Sequence, residues 1–339
     1  MTKPLTLALP SKGAIAEPTI NFLRDCGLKV EKPNQRQYTG MIPAIPSLMV
    51  LFQRVTDVLY KVADGTAQIG ITGYDVVAEN PHSNLVVVHK ELGFGHCSLV
   101  AAVPEAWVDV DGMVDLLDVV LDFREYKQRN IRIATKYPLL ARQFLHEHGI
   151  HHFTLVKADG AIEAAPTLGY ADLIIDLTQT GTTLRENHLK ILSDGVIIES
   201  QACLVGNREA LQQNPEHLNT LRILIEYIDA AQQGRGYFQL VANIRGESAV
   251  EIAQKVTANS ITRGLQGPTI SPVYGDGDSS GDENGWFTVT IIVANANLLP
   301  AMEHIRAIGG SQTIVSPVRY IFLEQSPIFQ QLQKLLELA

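Results

Sequence analysis

The stretch Leu173-Ile174-Ile175-Asp176-Leu177-Thr178-Gln179-Thr180-Gly181-Thr182-Thr183-Leu184 gathers groups suited to holding a phosphorylated sugar. An apolar run that reads as a buried strand delivers one carboxylate, Asp176, to its end. A short hydroxyl-rich loop follows, and a helix is predicted to start about Thr183. The free N–H groups at a helix start attract phosphate oxygens. Thr178, Thr180, Thr182 and Thr183 add hydroxyl donors. Gly181 permits a tight turn and close backbone approach, and Asp176 can accept hydrogen bonds from ribose hydroxyls. Together these would seat a 5-phosphoribosyl group. The loop lacks the GxxxxGKS or GxxxxGKT pattern of the lysine-bearing nucleotide loop. A second reading stays open on residue types alone: threonines cap helices, and an aspartate at a strand tip braces turns.

The elements that must position this loop read as α/β. Residues 5–9 form a strand, Ile15 to Leu23 a helix ending near Gly27, and Leu28-Lys29-Val30 the start of the next strand. This βαβ opening puts Lys12 and Gly13 at a strand tip, where open α/β sheets place ligands. A helix over 55–62, strands at 67–71 and 85–88, and Gly73-Tyr74-Asp75 at another strand tip continue the pattern. Strands at 131–134, 153–156 and 171–177 follow, with a helix over 138–147 and a strand over 196–204. The first 230 residues therefore read as two α/β lobes. From Gly234-Arg235-Gly236 onward the order becomes βαββαβ over 237–317, a ferredoxin-like unit, with a final helix over 327–338. The Gly/Asp tract at 275–284 reads as a hairpin loop between strands, not as a calcium loop between helices.

The totals set limits. The 339 residues predict about two domains. Twenty-seven basic against 36 acidic residues give a net charge of -9, which argues against a broad nucleic-acid surface. Cys26, Cys97 and Cys203 are widely spaced, which fits neither a disulfide framework nor a thiolate metal site. No apolar run is long enough for a membrane span. Lys3 and Pro4 open the chain without a secretory pattern, so a cytoplasmic setting is expected. The acids at 109, 111, 115, 118 and 122 read as a solvated helix face.

Several segments in register resemble the ATP phosphoribosyltransferase family in its long form. ADLIIDLTQTGTTLRENHL (171–189) resembles the family signature, DGAIEAAP (159–166) and IRIATKYP (131–138) its upstream segments, and VADGTAQIGITGYDVVAE (62–79) its Gly-x-Asp turn. LGFGHCSL, ESQACL and GPTISP fall in the family order. The resemblance implies a two-lobed catalytic part like a type II periplasmic-binding-protein fold, with lobe I at 1–103 and 190–233 and lobe II at 104–189. It also implies an ACT-type regulatory domain at 234–339. The implied reaction transfers the 5-phosphoribosyl group of 5-phosphoribosyl 1-diphosphate to adenine N1 of ATP, with Mg2+. Feedback inhibition by histidine and a homo-oligomer of dimers and hexamers are also implied.

On this basis Thr178, Thr180, Gly181, Thr182 and Thr183 are expected to hold the ribose 5-phosphate, and Asp176 the ribose hydroxyls. Lys12, Gly13 and Arg54 are expected near the diphosphate or ATP. Asp75 and Glu163 are polar cleft candidates, and Thr269 is a candidate histidine contact. Direct metal ligands are not assigned. Two positions depart from the family: Ala14 and Ser98 stand where it usually carries arginine, whose planar fork of donors neither offers. The stretch 108–130 also exceeds the family's usual lobe connection. A catalytically weakened homologue and a solute-binding protein of the same fold stay open as alternatives. A nicotinamide-linked enzyme is weakened by the lack of GxGxxG after the first strand.

Overall fold

The computed structural model describes residues 3–34, 37–158, 160–273 and 285–337. The chain forms two compact units, Met1–Arg222 with Pro327–Ala339, and Ile223–Ser326.

In the larger unit, the buried strand β1 (Leu5–Pro10) leads into helix α1 (Ala16–Asp25), then the hairpin of β2 (Thr39–Met41) and β3 (Leu48–Gln53). The strands parallel to β1 are β3 and the later Ile69–Gly73, and Leu28-Lys29-Val30 is not a strand. The Leu28 N–H is taken by the Leu23 carbonyl, so this segment closes the end of α1. Pro43 and Pro46 break the apolar run before Leu48, and beyond them β3 alternates inward and outward. Next come α2 (Val55–Ala63), β4 (Ile69–Gly73), α3 (Tyr74–Glu79) and β5 (Leu85–His89). A second series follows: β6 (Cys97–Pro104), α4 (Met113–Glu125), β7 (Ile131–Thr135), α5 (Pro138–Glu147) and β8 (Phe153–Lys157). It continues with α6 (Ala165–Leu168), β9 (Leu173–Thr178), α7 (Thr182–Glu186) and β10 (Leu189–Ser200). The chain then enters β11 (Ala202–Asn207), α8 (Arg208–Gln213) and α9 (Pro215–Gly234), whose residues from Ile223 on fall in the smaller unit.

These strands make two sheets, ordered β2-β3-β1-β4-β11-β5 and β10-β6-β9-β7-β8. The two-lobed α/β architecture expected from the sequence is therefore present. The chain crosses between sheets twice, in the connection from β5 to β6 and at Gln201. Cys97–Pro104 and Leu189–Ser200 pair within the second sheet, although the sequence boundaries assigned residues 97–103 and 190–200 to the first lobe. The apolar run 196–204 spans two strands because its halves pair with different sheets.

The second sheet is buried on both faces. Leu173 and Ile175 pack with α4 and α5, while Ile174 packs with Ile162, Ala165 and Leu184 on the opposite side. Strand residues two apart share a face. Asp176 therefore follows Ile174 onto the face that carries the turn Ile162–Ala164 and α7.

Just before β9, Asp172 ties three segments together. It accepts from both Arg129 Nη atoms at 2.6 and 2.8 Å and from the Arg132 backbone N–H at 2.8 Å and its Nη2 at 3.1 Å. Burial raises its affinity for a proton, but the two guanidinium groups and the backbone N–H outweigh this and hold the carboxyl well below the usual range. The folded state thus favours the ionised form. Its contribution is complete above the unfolded value of about 3.9 and is lost as the pH falls below it. Asp172→Asn is expected to lower the unfolding free energy by about 1–3 kcal/mol at neutral pH, the value for charged hydrogen bonds reduced for partly exposed arginines. Denaturant titrations of parent and variant should converge in acid, and a gap independent of pH would contradict this account.

The smaller unit contains β12 (Tyr237–Gly246), α10 (Ala249–Thr257), β13 (Thr269–Pro272), β14 (Gly285–Ala294), α11 (Leu298–Ala307) and β15 (Ser311–Pro317). Its antiparallel sheet has the order β13-β14-β12-β15. This is the βαββαβ unit expected, with Leu240, Ala242, Ile244, Val289 and Ile291 facing Ile252, Val256 and Ile305 of the helices. The tract at 275–284 lies outside the described residues. The last helix, α12 (Pro327–Glu337), is part of the larger unit, although the regulatory domain was expected to run to 339. Its Leu332 and Leu336 are buried, and Arg208 Nη1 and Gln212 Nε2 of α8 donate to its Leu335 and Leu336 carbonyls at 2.6 Å each. Among the described residues, no helix is long and apolar enough to cross a membrane.

Candidate active site

The loop after β9 folds on its own hydroxyls. The Gly181 N–H donates to Thr178 Oγ1 at 2.9 Å, and the Thr180 and Thr182 hydroxyls pair at 2.9 Å. Gly181 has φ +71°, a left-handed conformation, and caps α7. Thr178, Thr180, Thr182 and Thr183 line a pocket of about 280 Å³ together with Asp176 and Glu163. The sequence-predicted phosphate loop, its carboxylate and Glu163 thus share one concavity. Burial pushes the Asp176 carboxyl up; the Leu177 N–H and the Lys136 charge pull it down by less, and the Glu163 charge adds to the rise.

This pocket adjoins a larger one of about 460 Å³ between the two lobes, the two sharing Leu177, Thr178 and Gln179. Ala14, Val55, Gly73 and Asp75 line it from the first lobe, and Lys136 and Tyr137 from the second. Its size is in the range of small-molecule sites. Lys12 and Gly13 directly precede Ala14, and Arg54 directly precedes Val55; Lys12 and Arg54 are exposed. The two loops touch: the Ser11 N–H donates to the Gln53 carbonyl at 2.6 Å, and a Cβ on Gly13 would lie 3.5 Å from Val55 Cγ2. Ala14 and Val55 of these loops thus share the larger pocket with Thr178 and Gln179, whereas Lys12, Gly13 and Arg54 stand beside it and do not line it. Thr269 is exposed on edge strand β13 of the smaller unit.

Asp75 is buried with both oxygens engaged. Tyr137 donates its hydroxyl to Oδ2 at 2.7 Å, and Ser200 Oγ donates to Oδ1 at 2.8 Å. Burial and the Asp75 charge raise the Tyr137 hydroxyl far above its usual range, so it stays a donor. Burial, joined by the Asp75 charge, pushes the Cys97 thiol at the cleft wall up to about 11. That keeps it protonated and a poor nucleophile.

Of the two positions without the family's arginine, Ala14 contributes an apolar wall to the cleft, and Ser98 Oγ donates to Glu199 at 2.6 Å. Residue-type reasoning did not single out Tyr137 or Arg185. Tyr137 lies inside the segment IRIATKYP but reads as a core aromatic. Arg185 turns back so that Nη2 lies 3.4 Å from both the Thr180 carbonyl and Thr182 Oγ1. A basic residue three positions after a threonine at a helix start was the available signal.

Comparison with known proteins accords with this geometry. Residues 54–228 match the family model "ATP phosphoribosyltransferase", and residues 235–320 match the HisG C-terminal domain. The chain is 40% identical over 330 residues to ATP phosphoribosyltransferase 2, chloroplastic, of Arabidopsis thaliana, covering 97% of this chain and 79% of that protein. It is 34% identical over 340 residues to ATP phosphoribosyltransferase of Bradyrhizobium sp. strain ORS 278, covering 99% of each. Among solved structures, the ATP phosphoribosyl transferase (HisG:HisZ) complex from Thermotoga maritima aligns with TM-score 0.51 at 27% identity, over 66% of this chain and 98% of that one. With these matches over both its two-lobed part and its C-terminal βαββαβ unit, this chain belongs to the ATP phosphoribosyltransferase family in its long form.

Proposed function

We propose that the cleft performs the family reaction as follows. Adenine N1 of ATP attacks ribose C1 of 5-phosphoribosyl 1-diphosphate, the C1–O bond to diphosphate breaks, and N1-(5-phosphoribosyl)-ATP forms, the first step of histidine biosynthesis. The observation that carries this reading is the threonine loop bent around Gly181 beside a half-buried carboxylate. Thr178, Thr180, Thr182, Thr183 and the Gly181 turn hold the 5-phosphate. Asp176 accepts from the ribose hydroxyls, and its charge opposes the positive charge that develops on the sugar. Lys12, Gly13 and Arg54 approach the diphosphate or ATP from the first lobe, and Asp75 and Glu163 form polar walls. Holding both substrates in line supplies much of the rate enhancement, and no protein nucleophile is needed.

Among the described residues no group of three or more His, Cys, Asp or Glu could cage a metal ion. Magnesium is commonly held by one or two carboxylates together with substrate phosphates, and the oxygen donors Asp176 and Glu163 suit that mode. When bound, Mg2+ neutralises charge on the departing diphosphate. We also propose that the Ile223–Ser326 unit binds histidine as a feedback inhibitor, with Thr269 a contact, that the chain assembles as dimers and hexamers, and that it works in the cytoplasm.

Incubating the purified protein with ATP, 5-phosphoribosyl 1-diphosphate, Mg2+ and pyrophosphatase should yield phosphoribosyl-ATP. Absence of product above a blank would sink the enzymatic reading. In the same assay histidine should lower the rate, and a rate indifferent to millimolar histidine would remove the regulatory proposal.

A further inference from the structure

We propose that Glu79 is a positioning residue that sets the closure of the catalytic cleft, an inference that rests on the reaction assigned above. Its carboxylate, at the end of α3 in the first lobe, caps the start of α5 in the second. The Leu139 N–H donates to Glu79 Oε1 at 2.8 Å and the Leu140 N–H to Oε2 at 3.0 Å. The first N–H groups of a helix have no partners within it. Helix α5 opens with Pro138 and has no side-chain cap of its own at Tyr137. Its acceptors come instead from a residue sixty positions earlier, in the other lobe. Charge-assisted bonds of this kind are stronger than neutral ones.

The contact is not isolated. Asp75 lies one turn earlier on α3 and accepts from the Tyr137 hydroxyl at 2.7 Å. Residues four apart share a helix face. One face of α3 thus presents two carboxylates to the segment 137–140. Gly73 leaves room for this: a Cβ there would lie 2.3 Å from Asp75 Oδ1. Helix α3 continues directly from β4 of the first sheet, and Tyr137 follows β7 of the second after one residue. The clasp therefore joins the two sheets through short connections. Lys136 and Tyr137, at its centre, form the cleft wall opposite Ala14 and Val55. A movement of the lobes that separates α3 from α5 stretches the Glu79 and Asp75 bonds.

This arrangement separates binding from turnover. The ribose 5-phosphate loop belongs wholly to the second lobe, whereas transfer needs groups from both. Loss of the clasp should leave the 5-phosphoribosyl 1-diphosphate KM nearly intact and reduce kcat, because a small misplacement across a cleft strongly slows a bimolecular step. In the full-length protein, Glu79→Ala is expected to lower kcat about tenfold or more with that KM within about twofold, in keeping with such misplacement. Amide exchange at Leu139 and Leu140, read by mass spectrometry, should quicken. Glu79→Gln keeps one acceptor and should fall between the two, and it decides the matter if the alanine variant does not fold. A kcat within about twofold of the parent in the folded variants, or unchanged exchange at 139–140, would overturn the proposal. An inactive parent with fast exchange in the variants would instead count against the assigned reaction and leave the clasp standing.

Discussion

Asp176→Asn is expected to lower kcat by about 10- to 100-fold, the equivalent of losing one charged hydrogen bond in the transition state. The substitution keeps shape and volume, so a lost negative charge is the main change. Three tests separate this from damage to the fold. First, burial and Glu163 raise the Asp176 pKa, so folding shifts the carboxyl toward its protonated form relative to the unfolded chain. An ionised Asp176 at neutral pH therefore works against stability, and the asparagine variant should melt at the same temperature as the parent or higher. Second, the carboxyl serves as acceptor only when ionised. The parent's kcat/KM should fall as the pH drops through a value above the ordinary carboxylate figure of about 3.9, and this limb should vanish in Asp176→Asn. Third, Lys136 is one of the groups that pull this pKa down. Lys136→Met should move the acid limb further up. An acid limb in the same place in all three proteins would mean that another group governs it.

The strand, turn and helix start of the threonine loop were legible because their signals are local. An apolar strand, one carboxylate, a glycine among threonines and a helix start all lie within 173–184, as do the Gly181–Thr178 bond and the Thr180–Thr182 hydroxyl pair. The βαββαβ unit was legible for a similar reason, since its strands alternate cleanly around two amphipathic helices. What escaped depends on long-range pairing. Leu28-Lys29-Val30 has strand-like residues but closes the end of a helix, and one partner of β1 lies beyond a proline-broken run. Residues 196–204 read as one strand, yet they cross from one sheet to the other at Gln201. The C-terminal helix has an apolar stripe that local periodicity detects, but only tertiary contact shows that Leu332 and Leu336 pack in the larger unit. In the site, Asp75 and Tyr137 could each be noted as residues, whereas their hydrogen bond spans 62 positions and has no sequence signature.

The second large effect is expected at Gly181. Its φ of +71° is costly for residues with a Cβ, by about 1–2 kcal/mol, and more for β-branched ones. Space is not the constraint: a Cβ would sit 3.5 Å from Arg185 Nη1 and 3.8 Å from Ile191 Cδ1, both ordinary contacts. The loop must therefore either bear the strain or leave the left-handed conformation. Leaving it turns the Gly181 N–H away from Thr178 Oγ1 and moves Thr180 and Thr182, whose hydroxyls are paired across the turn. Because this short loop is exposed at Thr180, Thr182 and Thr183, relaxing costs little in packing, and the conformational escape should prevail. Gly181→Val should then raise the KM for 5-phosphoribosyl 1-diphosphate at least about tenfold, or about 1.4 kcal/mol of binding. The ATP KM should change by less than about twofold, and the melting temperature by only about 2–4 °C, the shift for 1 kcal/mol in a unit of this size. Gly169 supplies the control. It has nearly the same conformation, φ +75°, with nothing within 4 Å of a built Cβ, but it ends α6 and does not line the threonine pocket. Gly169→Val carries the same backbone penalty and should leave both KM values alone. Equal effects of the two substitutions on 5-phosphoribosyl 1-diphosphate would assign the loss to general strain and displace the phosphate site from this loop. A loss confined to Gly181→Val ties sugar-phosphate recognition to the geometry of a single left-handed residue.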